Sequence, residues 1–319
     1  PGPRARPARR GDVAWRTMTP QIEALERAAG PAALWAVGSA DAVHAARPGT
    51  PGTPDGDADW AAPLDAGAMT PLLALWPVIG GLVARGELTL HTPLTAYGET
   101  AAAGLPGGTT THHLLTRCDG PAPLDALTRL AEHLTGTPLA DCARTRVWDP
   151  LGMTRTRFTG TALRTCPADL ARFLRHLLPS ADAAGTADAA HTAGTADAAG
   201  TAHTAATADA AGTADPADPA GTDAERPVSR AWTAESLRIR TGELTPARGL
   251  LWHPAPAGVW THHPPSGSGP AVWISPRQNR WALLVPGPGS DGSGPPRAAF
   301  REAAFGSAPA RAARGADVR

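Results

Sequence analysis

From Thr70 to Arg85 nearly every position is apolar, and no polar face recurs at the 3.6-residue period of a helix. A helix that is hydrophobic all round is a buried one, so the stretch from Gly67 to Leu94 is expected to run through the centre of the fold. Pro71 suits a first helical turn, where its missing N–H costs nothing. Pro77 removes an interior hydrogen bond and is expected to kink the helix, and Gly86 closes it. Gln21 to Ala29 reads as a short helix. AALWAVGSADAVHAA reads as two strands across a turn at Gly38–Ser39, which makes Ser39 a turn residue rather than a nucleophile. Leu124 to Leu134 is an amphipathic helix closed by Gly136; Pro138 to Val147 and Pro167 to Leu178 are two more. LLWH, AGVW, AVWIS and RWALLV are short apolar runs between Gly/Pro turns, as strands are, with PRQNR a hairpin turn and Pro296 to Phe305 a closing helix. Strands at both ends with helices between predict an α/β (α+β) unit built on one mixed antiparallel sheet, its edges drawn from both ends of the chain.

Two stretches break this patterning. Ser180 to Glu225 carries eight acidic residues, no arginine and no large apolar side chain. AGTADAAHT (Ala184–Thr192) is followed there by AGTADAAGT (Ala193–Thr201), a repeat too short for a solenoid unit. Such a composition cannot bury enough surface to offset ordering entropy, so residues 180–225 are expected to be a disordered acidic insert. The globular sequence is then 18–179 and 226–307, with tails at 1–17 and 308–319. Pro1 to Arg16 holds five arginines against Asp12 and no apolar core, so it reads as neither a signal peptide nor a membrane span. A disordered tail, or sequence upstream of a start at Met18, is the expectation, with a cytoplasmic location by default.

The charge is balanced, 29 basic residues against 29 acidic, which argues against a nucleic-acid binder. No residue is lysine; all the basic residues are arginine, and there is one tyrosine, Tyr97, and one asparagine, Asn279. The Ala, Gly, Pro and Arg bias fits a GC-rich bacterial genome, and it limits the available chemistry. Cys118, Cys142 and Cys166 form no C-x-x-C pattern and suggest free thiols.

The central stretch, with THHLLTRCDG (Thr111–Gly120) and VWDPLGMTRTRF (Val147–Phe158), resembles the serine β-lactamase and penicillin-binding protein superfamily, nearest its class C β-lactamase, D-alanyl-D-alanine carboxypeptidase and esterase branch. The resemblance implies a β-lactamase/transpeptidase-like fold, with a sheet from both chain ends flanked by helices, plus a helical lobe. It also implies three catalytic motifs. A serine, acylated by the substrate, opens the central helix as Ser-x-x-Lys; counting back from Gly86 by the family's usual spacing puts Met69 and Leu72 there. Tyr-x-Asn falls on Asp119-Gly120-Pro121. The edge-strand Lys/His-Thr-Gly falls in THHPPSGSGPAVWISP, with His263 (or His262) leading and Pro264 and Pro265 replacing Thr and Gly. In the family's Leu-Leu-Thr-His-Thr-Ser-Gly, Arg117, Cys118 and Asp119 stand for His-Thr-Ser, and Tyr97 falls where members carry a structural tyrosine.

A thioether and an isobutyl group cannot replace a nucleophile and its base, and arginine stays protonated where lysine could lose its proton. Met69, Leu72, Asp119, Pro121 and His263 are therefore expected to line the family's cleft without an intact catalytic residue. Two other chemistries were open. His112–His113 and His262–His263 could suggest a metal, but adjacent histidines diverge on a helix or strand, and no carboxylate or Cys stands at ligand spacing. Cys118 could be a nucleophile beside His112 or His113, against the alternative of an inert buried thiol. The expectation is a hydrolase homologue that has lost its chemistry, a binding or vestigial protein with a small-molecule or peptide ligand and no cofactor. The alternatives are an active serine hydrolase, carboxypeptidase or esterase using another nucleophile, and a structural module tethered by the acidic insert.

Overall fold

The computed structural model describes residues 19–47, 60–117, 120–179, 223–243, 246–264, 269–287 and 297–306. Cys118, Asp119, most of the low-complexity stretch and most of both tails therefore lie outside the described residues. The chain builds a six-stranded sheet in the order β2-β1-β9-β8-β7-β6. Strands β1 (Leu34–Gly38) and β2 (Val43–Arg47) come from one end of the sequence. Strands β6 (His253–Ala255), β7 (Val259–His262), β8 (Ala271–Ser275) and β9 (Arg280–Val285) come from the other. Every neighbouring pair is antiparallel, and β1 meets β9 with Leu34 opposite Val285 and Gly38 opposite Trp281. Asn279 turns β8 into β9 with φ 47°, a left-handed conformation that asparagine tolerates.

Alternation of side chains across the pleat sends the two halves of each inner strand to different layers. Trp35, Ala271, Trp273, Ala282 and Leu284 face helices α1 (Thr19–Ala29) and α8 (Arg297–Phe305), packing on Leu25, Phe300 and Phe305. Ala36, Val272, Ile274, Trp281 and Leu283 face the helical lobe. Because β8 is covered on both sides, all five of its residues are buried, which is why AVWIS reads as a continuous apolar run.

The central stretch is buried as its pattern predicts, but it is three helical pieces: a 3₁₀ turn (Gly67–Met69), a π-helix (Pro71–Leu75) and α2 (Trp76–Ala84). Pro77 follows the π-helix directly, inside a run whose backbone stays helical across the join at Leu75 and Trp76. Its missing N–H would have served the carbonyl of Leu73. The indole of Trp148 donates there instead, at 2.8 Å. Gly80 has a packing reason of its own: a Cβ there would stand 2.3 Å from Trp232 Cδ1. That approach lets Trp232 Nε1 reach the carbonyl of Trp76 at 3.1 Å, while Trp76 Nε1 donates to Ser236 Oγ at 2.9 Å.

The lobe is completed by α3 (Thr111–Thr116), α4 (Pro121–Thr135), α5 (Leu139–Ala143), α6 (Pro167–His176) and α7 (Arg230–Ser236). Gly136 closes α4 at φ 67°, as read from the sequence. A second sheet, β3 (Leu64–Asp65), β5 (Ala162–Thr165) and β4 (Arg157–Thr159), was not legible, since two to four residues are too few to show alternation. Beside it Asp169, fully buried, accepts from Arg155 N at 2.9 Å and Thr156 Oγ1 at 2.8 Å and pairs with Arg172. The run LLWH is a further correction: only His253 of it is strand. Leu250 N bonds the Ser236 carbonyl and Leu251 N the Leu115 carbonyl, so this backbone pairs with helix ends, and Leu251 takes φ 64°.

Candidate functional site

Between the edge strands and the lobe lies a cleft of about 440 Å³. Its floor is the head of the central stretch, Ala68, Thr70, Pro71 and Leu75. One wall is the face of α4, with Pro121, Leu124, Asp125 and Thr128; the other is Leu251 to His253 with His262, His263 and Pro264. A second cavity, about 510 Å³ and rimmed by Arg85, Glu87, Arg146 and Arg226, lies on the far side of α2. It is the larger of the two. Size does not decide between them; the histidines and the head of the central helix converge only on the first.

Of the five positions expected in the cleft, Pro121 and His263 line it and Asp119 lies outside the described residues. Met69 and Leu72 are fully buried in the core and are not among the lining residues. The reason is the π-helix. A π-turn holds one residue more than an α-turn, so a count back from Gly86 at α-helical spacing arrives one position late. Two pairs of residues three apart line the cleft here, Gly67 with Thr70 and Ala68 with Pro71. In neither pair does the first residue carry a nucleophile or the second a base; Thr70 brings the one hydroxyl of the four.

The two histidine pairs separate as adjacent residues should. His113 forms a capping box at the start of α3, its Nδ1 accepting from Thr110 N at 3.3 Å, while His112 packs against His91 with centroids 4.8 Å apart. Across the cleft wall, His263 stacks on His253 at 5.6 Å and 23°. His262 turns inward, 6% exposed, and its Nδ1–H donates to the Leu251 carbonyl at 2.8 Å. Burial lowers its pKa from 6.5 to about 4, so it is a neutral imidazole at physiological pH. The same carbonyl belongs to the residue held at φ 64°, a conformation a branched side chain rarely adopts. Sequence reasoning missed Leu251, Arg248, Asp125 and Thr128 as cleft residues, because only the packing of the edge loop against α4 brings them together.

The other reactive candidates are quiet. Cys142 and Cys166 are buried free thiols whose pKa values burial raises, which disfavours the thiolate. The hydroxyl of Tyr97 accepts from Thr89 N at 2.8 Å, a structural role in the loop after the central helix. No described helix is long and apolar enough to cross a membrane.

A sheet made from both chain ends, a buried central helix and a cleft between sheet and lobe define the fold of the serine β-lactamases and penicillin-binding proteins. By sequence the chain matches no protein-family profile and no curated protein. By structure it is similar to a D-stereospecific amidohydrolase from Streptomyces sp., at TM-score 0.56 and 14% identity over 90% of this chain and 98% of that one. It is similar also to a β-lactamase/D-alanine carboxypeptidase from Yersinia pestis in complex with citrate, at 0.55 and 14% over 87% and 93%. A class C β-lactamase from Rhodobacter sphaeroides matches at 0.55 and 12% over 89% and 97%.

Proposed function

We propose that this chain is a β-lactamase-fold protein without acyl-transfer chemistry, which binds a small molecule or short peptide in its cleft. The observation that carries the reading is the chemistry at the head of the central stretch. Whether the motif is counted onto Met69 and Leu72 or onto a cleft-lining pair, Gly67 with Thr70 or Ala68 with Pro71, no nucleophile stands at its first position and no base at its last. No lysine exists anywhere in the sequence to serve as base. The remaining walls suit binding: apolar side chains interrupted by a few polar groups are how small-molecule pockets are built, and 440 Å³ falls in their usual range.

The test is covalent labelling of the full chain with a fluorescent penicillin and a fluorophosphonate, read by intact mass, beside a calorimetric titration with 1-naphthol. The expected result is no mass adduct, and naphthol binding that Ala68→Trp, which fills the cleft floor, removes. An adduct mapped to Thr70 or Cys118, with ester hydrolysis lost on changing that residue, would overturn the loss of chemistry. Failure of naphthol to bind would overturn the cleft as a binding site.

A further inference from the structure

We infer that the cleft takes a mostly apolar molecule presenting one N–H or O–H donor to Nε2 of His262, and that it disfavours a carboxylate at that nitrogen. This rests on the cleft being a binding site, as proposed above. The argument begins at the other nitrogen. A carbonyl oxygen can only accept, so the 2.8 Å contact between His262 Nδ1 and the Leu251 carbonyl places the proton on Nδ1. In a neutral imidazole the second nitrogen is then a bare acceptor. His262 lines the cleft, is more than nine-tenths buried, and its Nε2 takes no hydrogen-bond partner among the described residues. The Leu251 backbone is fixed in turn by its own N–H on the Leu115 carbonyl, so the ring is held from behind by α3.

An acceptor in an apolar wall favours a donor and penalises whatever leaves it unpaired. The ring cannot adapt by taking a second proton cheaply, because it is buried and Trp252 packs against it at 6.3 Å. A carboxylate facing Nε2 would meet a lone pair rather than a cation. Leu75, Leu124 and Pro121 supply apolar surface around it, and Arg248 and Asp125 stand elsewhere in the lining.

Three probes of similar size test this by titration calorimetry at pH 7.5: 1-naphthol, 1-methoxynaphthalene and 1-naphthoate. Naphthol is expected to bind roughly tenfold tighter than either of the others, the ordinary worth of one buried hydrogen bond against an unmet acceptor. In His262→Phe the preference for naphthol over methoxynaphthalene is expected to vanish. Because that variant also loses the bond to Leu251, the ¹⁵N resonance of His262 Nε2 is followed in the unaltered protein, where naphthol is expected to shift it and methoxynaphthalene is not. Equal binding of naphthol and methoxynaphthalene, with Nε2 unmoved, would overturn the acceptor role and leave the cleft reading standing. Tightest binding of naphthoate would overturn it in favour of an anion site. No binding of any probe would overturn both readings.

Discussion

The bond from Trp148 to the carbonyl of Leu73 gives the sharpest quantitative expectation, because at α-helical spacing Pro77 has no N–H to offer that carbonyl. Trp148 and Leu73 are both essentially buried, at 1% and 0% exposure, so water cannot replace the indole donor. Trp148→Phe keeps an aromatic ring against Phe158, now 5.8 Å away, but removes the N–H and part of the ring. The missing volume, roughly 40 Å³, costs about 1 kcal/mol at 24 cal/mol per Å³. The orphaned carbonyl costs a further 1–3 kcal/mol or so, for a total of roughly 2–4 kcal/mol. Pro77→Ala returns an amide to the helix, at the position whose N–H serves Leu73. In that background Trp148→Phe is expected to cost only the cavity, about 1 kcal/mol, leaving a coupling of about 1–3 kcal/mol between the two sites. Urea unfolding of the full chain, followed by far-UV circular dichroism, measures all four corners of the cycle, provided the slopes agree. A coupling below about 0.5 kcal/mol would refute the compensation, since that is the level at which unconnected sites already add.

Two further expectations follow from the same packing and electrostatics. Gly80→Ala gains helix propensity of about 1 kcal/mol but drives a Cβ against Trp232, so the melting temperature is expected to fall; a rise would show that the indole moves away easily. His262 and His176 are held neutral, each with its pKa lowered by burial from 6.5 to about 4. The unfolded chain takes up these protons first, so stability is full above pH 6.5 and declines as the pH falls towards 4. The loss is roughly 2–3 kcal/mol per histidine. His44 and His112, also lowered, add to it in the same direction. Unfolding free energies that stay flat between pH 6.5 and 5, above the range where most carboxylates titrate, would contradict the buried neutral histidines.

The layered sheet was legible in the sequence because burial on both faces leaves a local trace. AVWIS and RWALLV are apolar without interruption, and the turn residues around them, Asn279 above all, mark where the strands end. The closing glycine of α4 and the burial of the central stretch were legible for the same reason: each is a property of neighbouring residues. Leu250 to Trp252 was not, since an apolar run reports burial and cannot say whether its amides will bond a strand or, as here, the ends of α3 and α7. Which residues of the central stretch face the cleft was hidden by the very feature that identified the helix. A stretch with a polar face would have betrayed an extra residue, because the pattern would slip by about 100° around the axis. From Pro71 to Val83 there is no polar side chain to slip, and the π-turn, beside which Gly67, Ala68, Thr70 and Pro71 line the cleft while Met69 and Leu72 are buried, leaves the apolar pattern unchanged. The tautomer of His262 lies further still from the sequence. It depends on one carbonyl eleven residues away, turned towards the ring by a backbone conformation that only the packing of the edge loop against α3 imposes on Leu251.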